Sequence, residues 1–216
     1  MSVSVVSHPV VRAQLSKLRA SSTSPKEFRE SVSQISAILA IEATRDLEET
    51  TFQGQTPIAS FTGTAIKARI GLTPILRAGL GMTDSVSVIS LINQSFSDAP
   101  IYHLGIFREK VSLQPVEYYS KLPPQPTVDT VFILDPLIAT GGTALAAISI
   151  ILDWGIPIKN IKFLGILASK QGLQAIHAQH PDLEIWLAAI DDTLTDNGLV
   201  SPGLGDTGDR LCNTIR

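Results

Sequence analysis

Five apolar runs of β type recur along this chain, at residues 70–76, 101–107, 130–134, 161–167 and 183–189. Between most of them, residues 82–92, 143–154 and 171–180 carry apolar side chains at helical spacing. A strand without polar alternation has to be buried on both faces, and a strand–helix–strand order joins parallel neighbours. The pattern therefore predicts an α/β chain with an open, mainly parallel sheet flanked by helices. Gly155 and Pro181 stand where the second and third of those helices should stop.

Upstream of the alternation the pattern is helical. Val10, Val11, Leu15 and Leu18 share one face of a first helix, and Phe28, Val32, Ile35, Ile38 and Leu39 one face of a second. Ser24 and Glu27 form a capping box around Pro25 at the first helical position. Residues 1–48 are thus expected to be a helical arm, and the threonine-rich 50–67 a small flap of short strands or hairpins. No linker or repeat divides residues 1–216, so one domain is expected. The glycine- and aspartate-rich tail, 191–216, is too regularly punctuated for a disordered end.

Composition removes several classes of function. A net charge of -3, with 17 basic and 20 acidic residues, gives no reason to expect nucleic acid or a membrane surface as partner. The single cysteine, Cys212, excludes an internal disulfide, and the first twenty residues lack the basic and apolar regions of a signal peptide. A cytoplasmic protein is expected, with no transmembrane segment. His8, His103, His177 and His180 show no metal-ligand spacing, and there is no G-x-S-x-G elbow.

What remains is the set of polar loops that follow strands, where open α/β sheets place their ligands. "DPLIATGGT" follows the run at 130–134 and opens a helix. It comprises Asp135, Pro136, Leu137, Ile138, Ala139, Thr140, Gly141, Gly142 and Thr143. Two glycines allow close backbone approach, two threonines offer hydroxyls, and a helix start supplies N–H donors with a positive dipole end. Those features make a phosphate cradle, although a ligand-free glycine-rich turn has the same residue types. Neither the Gly-Lys-Ser/Thr of a P-loop nor spaced dinucleotide glycines are present. Arg77 in "TPILRAGLGM" follows another strand beside Gly79 and Gly81; it reads either as an anion ligand or as a carboxylate partner. "FREKVSLQPVEYYSKLP" is long enough for a lid.

Taken together, "PILRAGLGM", "DPLIATGGT", "PVEYYSKLP" and "PGLGDTGDR" resemble the uracil phosphoribosyltransferase family over nearly the whole chain. The resemblance implies transfer of a phosphoribosyl group from phosphoribosyl diphosphate to uracil, giving UMP and diphosphate. It assigns Asp135 to the ribose hydroxyls, residues 140–143 to the 5′-phosphate, and Arg77 and Arg108 to the diphosphate. Asp206 is placed close to the same substrate, and the backbone of Val200, Gly205, Asp206 and Thr207 reads uracil. Mg²⁺ is implied as cofactor, held mainly by substrate and water because Pro136 stands where many relatives of the wider group carry a second acid. A homodimer or higher oligomer is implied too, consistent with an arm richer in apolar surface than a small sheet needs. Some relatives are activated by GTP, for which no separate motif occurs here. The chain departs from the family in "GDRLCNT", at Lys110 and at Thr207, where alanine is common. An altered paralogue that binds RNA in response to nucleotides is the alternative, and the net charge argues against it.

Overall fold

The computed structural model describes residues 2–89, 99–108 and 115–214, the side chains of residues 88, 89 and 108 excepted. In chain order its first half comprises β1 (Ser2–Val5), α1 (Pro9–Arg19), α2 (Pro25–Ala43), β2 (Glu49–Gln55), β3 (Ser60–Ile66), β4 (Ile70–Leu76), α3 (Leu80–Ile89), β5 (Leu104–Arg108) and β6 (Pro115–Ser120). There follow β7 (Thr130–Leu134), β8 (Leu137–Ile138), α4 (Gly142–Trp154), β9 (Ile161–Ser169), α5 (Lys170–Gln179), β10 (Glu184–Asp191), β11 (Thr193–Leu194), β12 (Val200–Ser201) and α6 (Thr207–Cys212). Among the described residues one sheet of eight strands runs β1, β10, β9, β7, β4, β5, β6, with β8 added to β9. Every pairing in it is parallel except β5 with β6.

The expected open α/β sheet is therefore present, and the apolar runs explain its burial. On β7, Phe132 and Leu134 pack into one apolar cluster with α1, α2 and α3, while Val131 and Ile133 join α4 and α5 on the opposite face. Ser24 caps α2 through the reciprocal bonds with Glu27, as its sequence signals.

Several readings need correction. Besides the two predicted helices, the chain opens with β1, a strand of four residues, too short for its alternation to register, which lies parallel to β10. The run at 101–107 is strand only from Leu104; Ile101 makes an isolated bridge to Leu72. Leu72 bonds this neighbour through both its N–H and its carbonyl, but Pro74, the next residue in phase, has no N–H to continue the ladder. Half of the expected lid is regular structure, since residues 115–120 form the antiparallel edge strand β6. Residues 109–114, with Glu109 and Lys110, lie outside the described residues, as do positions 90–92 of the helix read at 82–92.

The arm is also more self-contained than its composition suggests. Val11, Leu15, Leu18, Phe28, Val32, Ile35 and Leu39 are all buried within the chain. Val5, Val10 and Ile41 of the arm stay exposed, and so does the β2–β3 hairpin, with Phe52 and Phe61 edge to face and Ile58 at the turn 94% exposed. No helix among the described residues is long and apolar enough to cross a membrane.

Candidate active site

Strand order places the site. From β4 the chain moves outward to β5, then returns to lay β7 on the other side of β4 and continues outward through β9. The loops after β4 and β7 therefore diverge at a switch point, beyond the ends of adjacent strands paired at Pro74 and Leu134. Gly79 makes the close approach feasible, because a Cβ there would sit 2.3 Å from the Leu134 carbonyl oxygen. Between the loops opens a cavity of about 660 Å³, lined by Arg77, Asp135, Thr143, Asp206 and Gly208, with Phe107 and Tyr118 on one wall.

Within "DPLIATGGT", β8 pairs with β9, and the next turn bends around a concavity of about 80 Å³ lined by residues 137–141, 143 and 144. Gly141 caps α4 with φ 86, a conformation in which a Cβ would stand 2.8 Å from the Gly172 carbonyl oxygen. The floor is pinned from α5: Ser169 Oγ donates to the Ala139 carbonyl at 2.5 Å and accepts from the Gly172 N–H at 2.8 Å. Gly172 has to be glycine for the same packing, since its Cβ would lie 2.3 Å from the Ala139 carbonyl oxygen. The result is a closely packed main-chain hollow at the start of a thirteen-residue helix, suited to an anion. Asp135, half-buried, precedes the hollow and lines the larger cavity. Burial pushes its carboxyl up to about 7, against the single long bond it accepts from the Leu137 N–H at 3.4 Å.

Arg77 makes the carboxylate contact read for it and also stands on the cavity wall. Its guanidinium lines the cavity, yet it also donates to Asp209 Oδ1 at 2.8 Å and to Thr214 Oγ1 at 3.2 Å. The Asp209 bond holds it further above its ordinary pKa, so it is a permanent cation. Gly208 leaves room beside it. The Leu76–Arg77 peptide bond is cis. Arg108 closes β5, and its side chain is outside the described residues.

The tail forms the remaining side. Asp206 caps α6 by accepting the Asp209 N–H at 2.9 Å, and Val200 belongs to the β11–β12 pair. Gly203 and Gly205 both adopt positive φ, after a cis Ser201–Pro202 bond. Thr207 is buried. Three residues unread in the sequence hold this tail in place: Arg19, Asp191 and Arg210. Arg19 and Asp191 are 172 positions apart, and no motif joins them. Ser169 and Gly172 were missed as well, although a serine three residues before a glycine at a helix start is a visible capping pattern. Among the described residues no group of three or more His, Cys, Asp or Glu side chains is arranged to hold a metal ion.

A main-chain hollow at a helix start and an arginine beside a cavity, at the switch point of a parallel sheet, suit an enzyme class that works on a phosphorylated sugar or nucleotide. A family model described as uracil phosphoribosyltransferase matches residues 5–214. A uracil phosphoribosyltransferase from Roseiflexus sp. is 48% identical over 212 residues, 98% of each chain. One from Roseiflexus castenholzii is 49% identical with the same coverage. The solved structure of the AQ2163 protein from Aquifex aeolicus superposes with a TM-score of 0.87 at 31% identity, over 97% of each chain. The chain belongs to the uracil phosphoribosyltransferase family.

Proposed function

We propose that this chain transfers the 5-phosphoribosyl group of phosphoribosyl diphosphate to uracil, forming UMP and diphosphate in pyrimidine salvage. One observation carries the assignment of roles. The main-chain hollow opens beside the cavity between β4 and β7 that Arg77, Asp135, Asp206 and Gly208 line, and Thr143 borders both. Residues 140–143 take the 5′-phosphate, Asp135 the ribose hydroxyls, and Arg77 with Arg108 the diphosphate; Asp206 stands at the same substrate. The main chain at Val200, Gly205, Asp206 and Thr207 reads uracil, whose alternating N–H and carbonyl groups suit backbone partners.

Uracil itself is the nucleophile, so no covalent enzyme intermediate is required. Charge develops as the bond to diphosphate breaks, positive on the sugar and negative on the leaving group. Fixed donors and an arginine meet that demand without moving. Asp135 and Asp206 are separate carboxylates, which fits a Mg²⁺ ion held chiefly by diphosphate and water; when bound, the ion neutralises the departing charge. The exposed β2–β3 hairpin, with Phe52, Ile58 and Phe61, supports assembly into a homodimer or higher homo-oligomer. The phosphorylated co-substrate and lone cysteine fit a cytoplasmic setting.

Purified protein incubated with both substrates and Mg²⁺ is expected to yield UMP, with uracil preferred over hypoxanthine, guanine and orotate in competition. Absence of UMP overturns the reading. A monomer by light scattering at micromolar concentration overturns the assembly.

A further inference from the structure

We propose that Arg19, Asp191 and Arg210 are positioning residues for the base, fixing the loop 200–206 against the carboxyl end of α1; this rests on the uracil-reading role given to that loop. A segment with two glycines at positive φ, Gly203 and Gly205, has many conformations open to it and few side chains with which to choose among them. Reading a base edge demands one fixed arrangement, and the rigidity has to come from outside the loop.

Two guanidinium groups supply it. Arg19, in the last turn of α1, forks onto Asp191 with distances of 2.6 and 2.7 Å and also donates to the Gly203 carbonyl at 3.1 Å. Asp191 Oδ2 in turn accepts the Gly203 N–H at 2.9 Å. Both backbone polar groups of Gly203 therefore hang on one ion pair, whose carboxylate side is only 8% exposed. Arg210 is buried, and its described partners are carbonyls and a ring. It donates to the Leu18 carbonyl, to Ala20 at 2.6 Å and to Leu204 at 2.8 Å, with its guanidinium carbon 4.3 Å from the Phe28 ring centre. Leu18 and Ala20 offer carbonyls at the end of α1, where the helix dipole favours a cation, and the Ala20 carbonyl also accepts the Thr23 N–H at 3.2 Å.

An arginine buried against carbonyls neutralises no partner; what it provides is geometry. Between these anchors the N–H groups of Gly205 and Asp206 have no partner among the described residues. They are left free for a ligand while the chain on either side is held. The corner joining α1 to α2 thus belongs to the base site without touching it.

The test uses the full chain carrying Arg19→Met together with Asp191→Asn, which removes the fork without stranding a buried carboxylate, alongside Arg19→Lys and Arg210→Lys. The paired variant is expected to raise KM for uracil about tenfold or more. Its kcat, and the Kd for phosphoribosyl diphosphate measured without uracil, stay within about twofold. Arg19→Lys rescues only in part, because an ammonium cannot form the fork. Amide exchange at Gly203, whose N–H the clamp holds, quickens while 135–143 keep their protection. Equal weakening of both substrates, or a Gly203 amide as protected as in the unaltered chain, overturns the proposal. Exchange judges the clamp by itself, and Arg210→Lys repeats the exchange test if the paired variant does not fold. An unaltered chain that turns over no uracil would instead refute the role given to the loop.

Discussion

Asp135 and Thr143 of the loop 135–143 and Asp206 at the end of the loop 200–206 line the same cavity, yet the two loops are held differently. The first loop rests on Ser169, thirty positions away, and on two glycines packed backbone to backbone. The second hangs from Arg19, 184 positions from the glycine it grips, and from Arg210 against the far end of α1. Phosphate is an anion with no edge to read, so a hollow of N–H groups next to a helix start suffices. A base has an ordered row of donors and acceptors, and matching it needs register, which here comes from charged side chains crossing the fold. The difference predicts distinct failures. Damage to the first loop should be steric and severe, damage to the second graded and selective for the base.

Glycine replacements break that comparison most forcefully. Gly172→Ala drives a Cβ to within 2.3 Å of the Ala139 carbonyl, a backbone atom that cannot swing aside. The expected loss is roughly 2 to 3 kcal/mol in phosphoribosyl diphosphate recognition, or about 30- to 150-fold in kcat/KM. Gly205→Ala meets nothing nearer than Arg210 Cδ at 3.6 Å, so only its positive φ of 73 is penalised. That costs about 1 to 2 kcal/mol, seen in KM for uracil. If Gly205→Ala proves the more damaging to the phosphorylated substrate, the division between the loops is wrong.

Arg77 lies on the boundary, anchored to α6 while lining the phosphate side. Its ion pair with Asp209 is half-exposed on the arginine and contributes at most about 1 kcal/mol to folding. A contact with diphosphate is worth on the order of 1.5 to 3 kcal/mol, roughly ten- to a hundredfold in kcat/KM. Arg77→Ala should accordingly weaken phosphoribosyl diphosphate with little change in Tm, and Arg77→Lys should recover part of it. Normal substrate binding with a much lower Tm would reduce Arg77 to a structural partner of the tail.

These loops also mark what a sequence can disclose. The cradle was legible because its parts are consecutive: an acid after a strand, then threonines and glycines before a helix. The sheet was legible for the same reason, except where Pro74 interrupts a ladder and where β1 and β6 are short or mostly exposed. The clamp was not. Arg19, Asp191 and Arg210 are ordinary charged residues until the fold brings α1 against the tail. The arm's apolar pattern was legible too, and most of that face packs on the chain's own sheet and helices, with Val10 left exposed.

Asp135 gives a pH test confined to the first loop. Its carboxyl rises from an ordinary 3.8 to about 7 through burial, so between those values the folded chain keeps a proton that the unfolded chain has lost. Stability therefore falls as pH rises through that window. Asp135→Asn should flatten this contribution, and Tm measured from pH 5 to 8 should decline less in the variant. Accepting both ribose hydroxyls calls for the carboxylate, so kcat/KM for phosphoribosyl diphosphate should climb as pH passes about 7. An equally steep Tm decline in both proteins would show that the titrating group lies elsewhere.

The smallest effect tests whether the base loop holds anything beyond its backbone. Thr207 is buried at the start of α6, and its Oγ1 has no hydrogen-bond partner among the described residues. An unpaired buried hydroxyl is destabilising, whereas the methyl beside it packs favourably. Thr207→Val keeps the shape and removes only the hydroxyl, and is expected to stabilise the free protein by about 1 kcal/mol. In a chain of this length that raises Tm by roughly 2 to 4 °C. Main-chain reading of uracil predicts a KM for the base unchanged within about twofold, because the backbone at Gly205, Asp206 and Thr207 is untouched. A higher KM for uracil, with Tm unmoved, would mean that the hydroxyl reads the base, making this position a side-chain determinant of base choice.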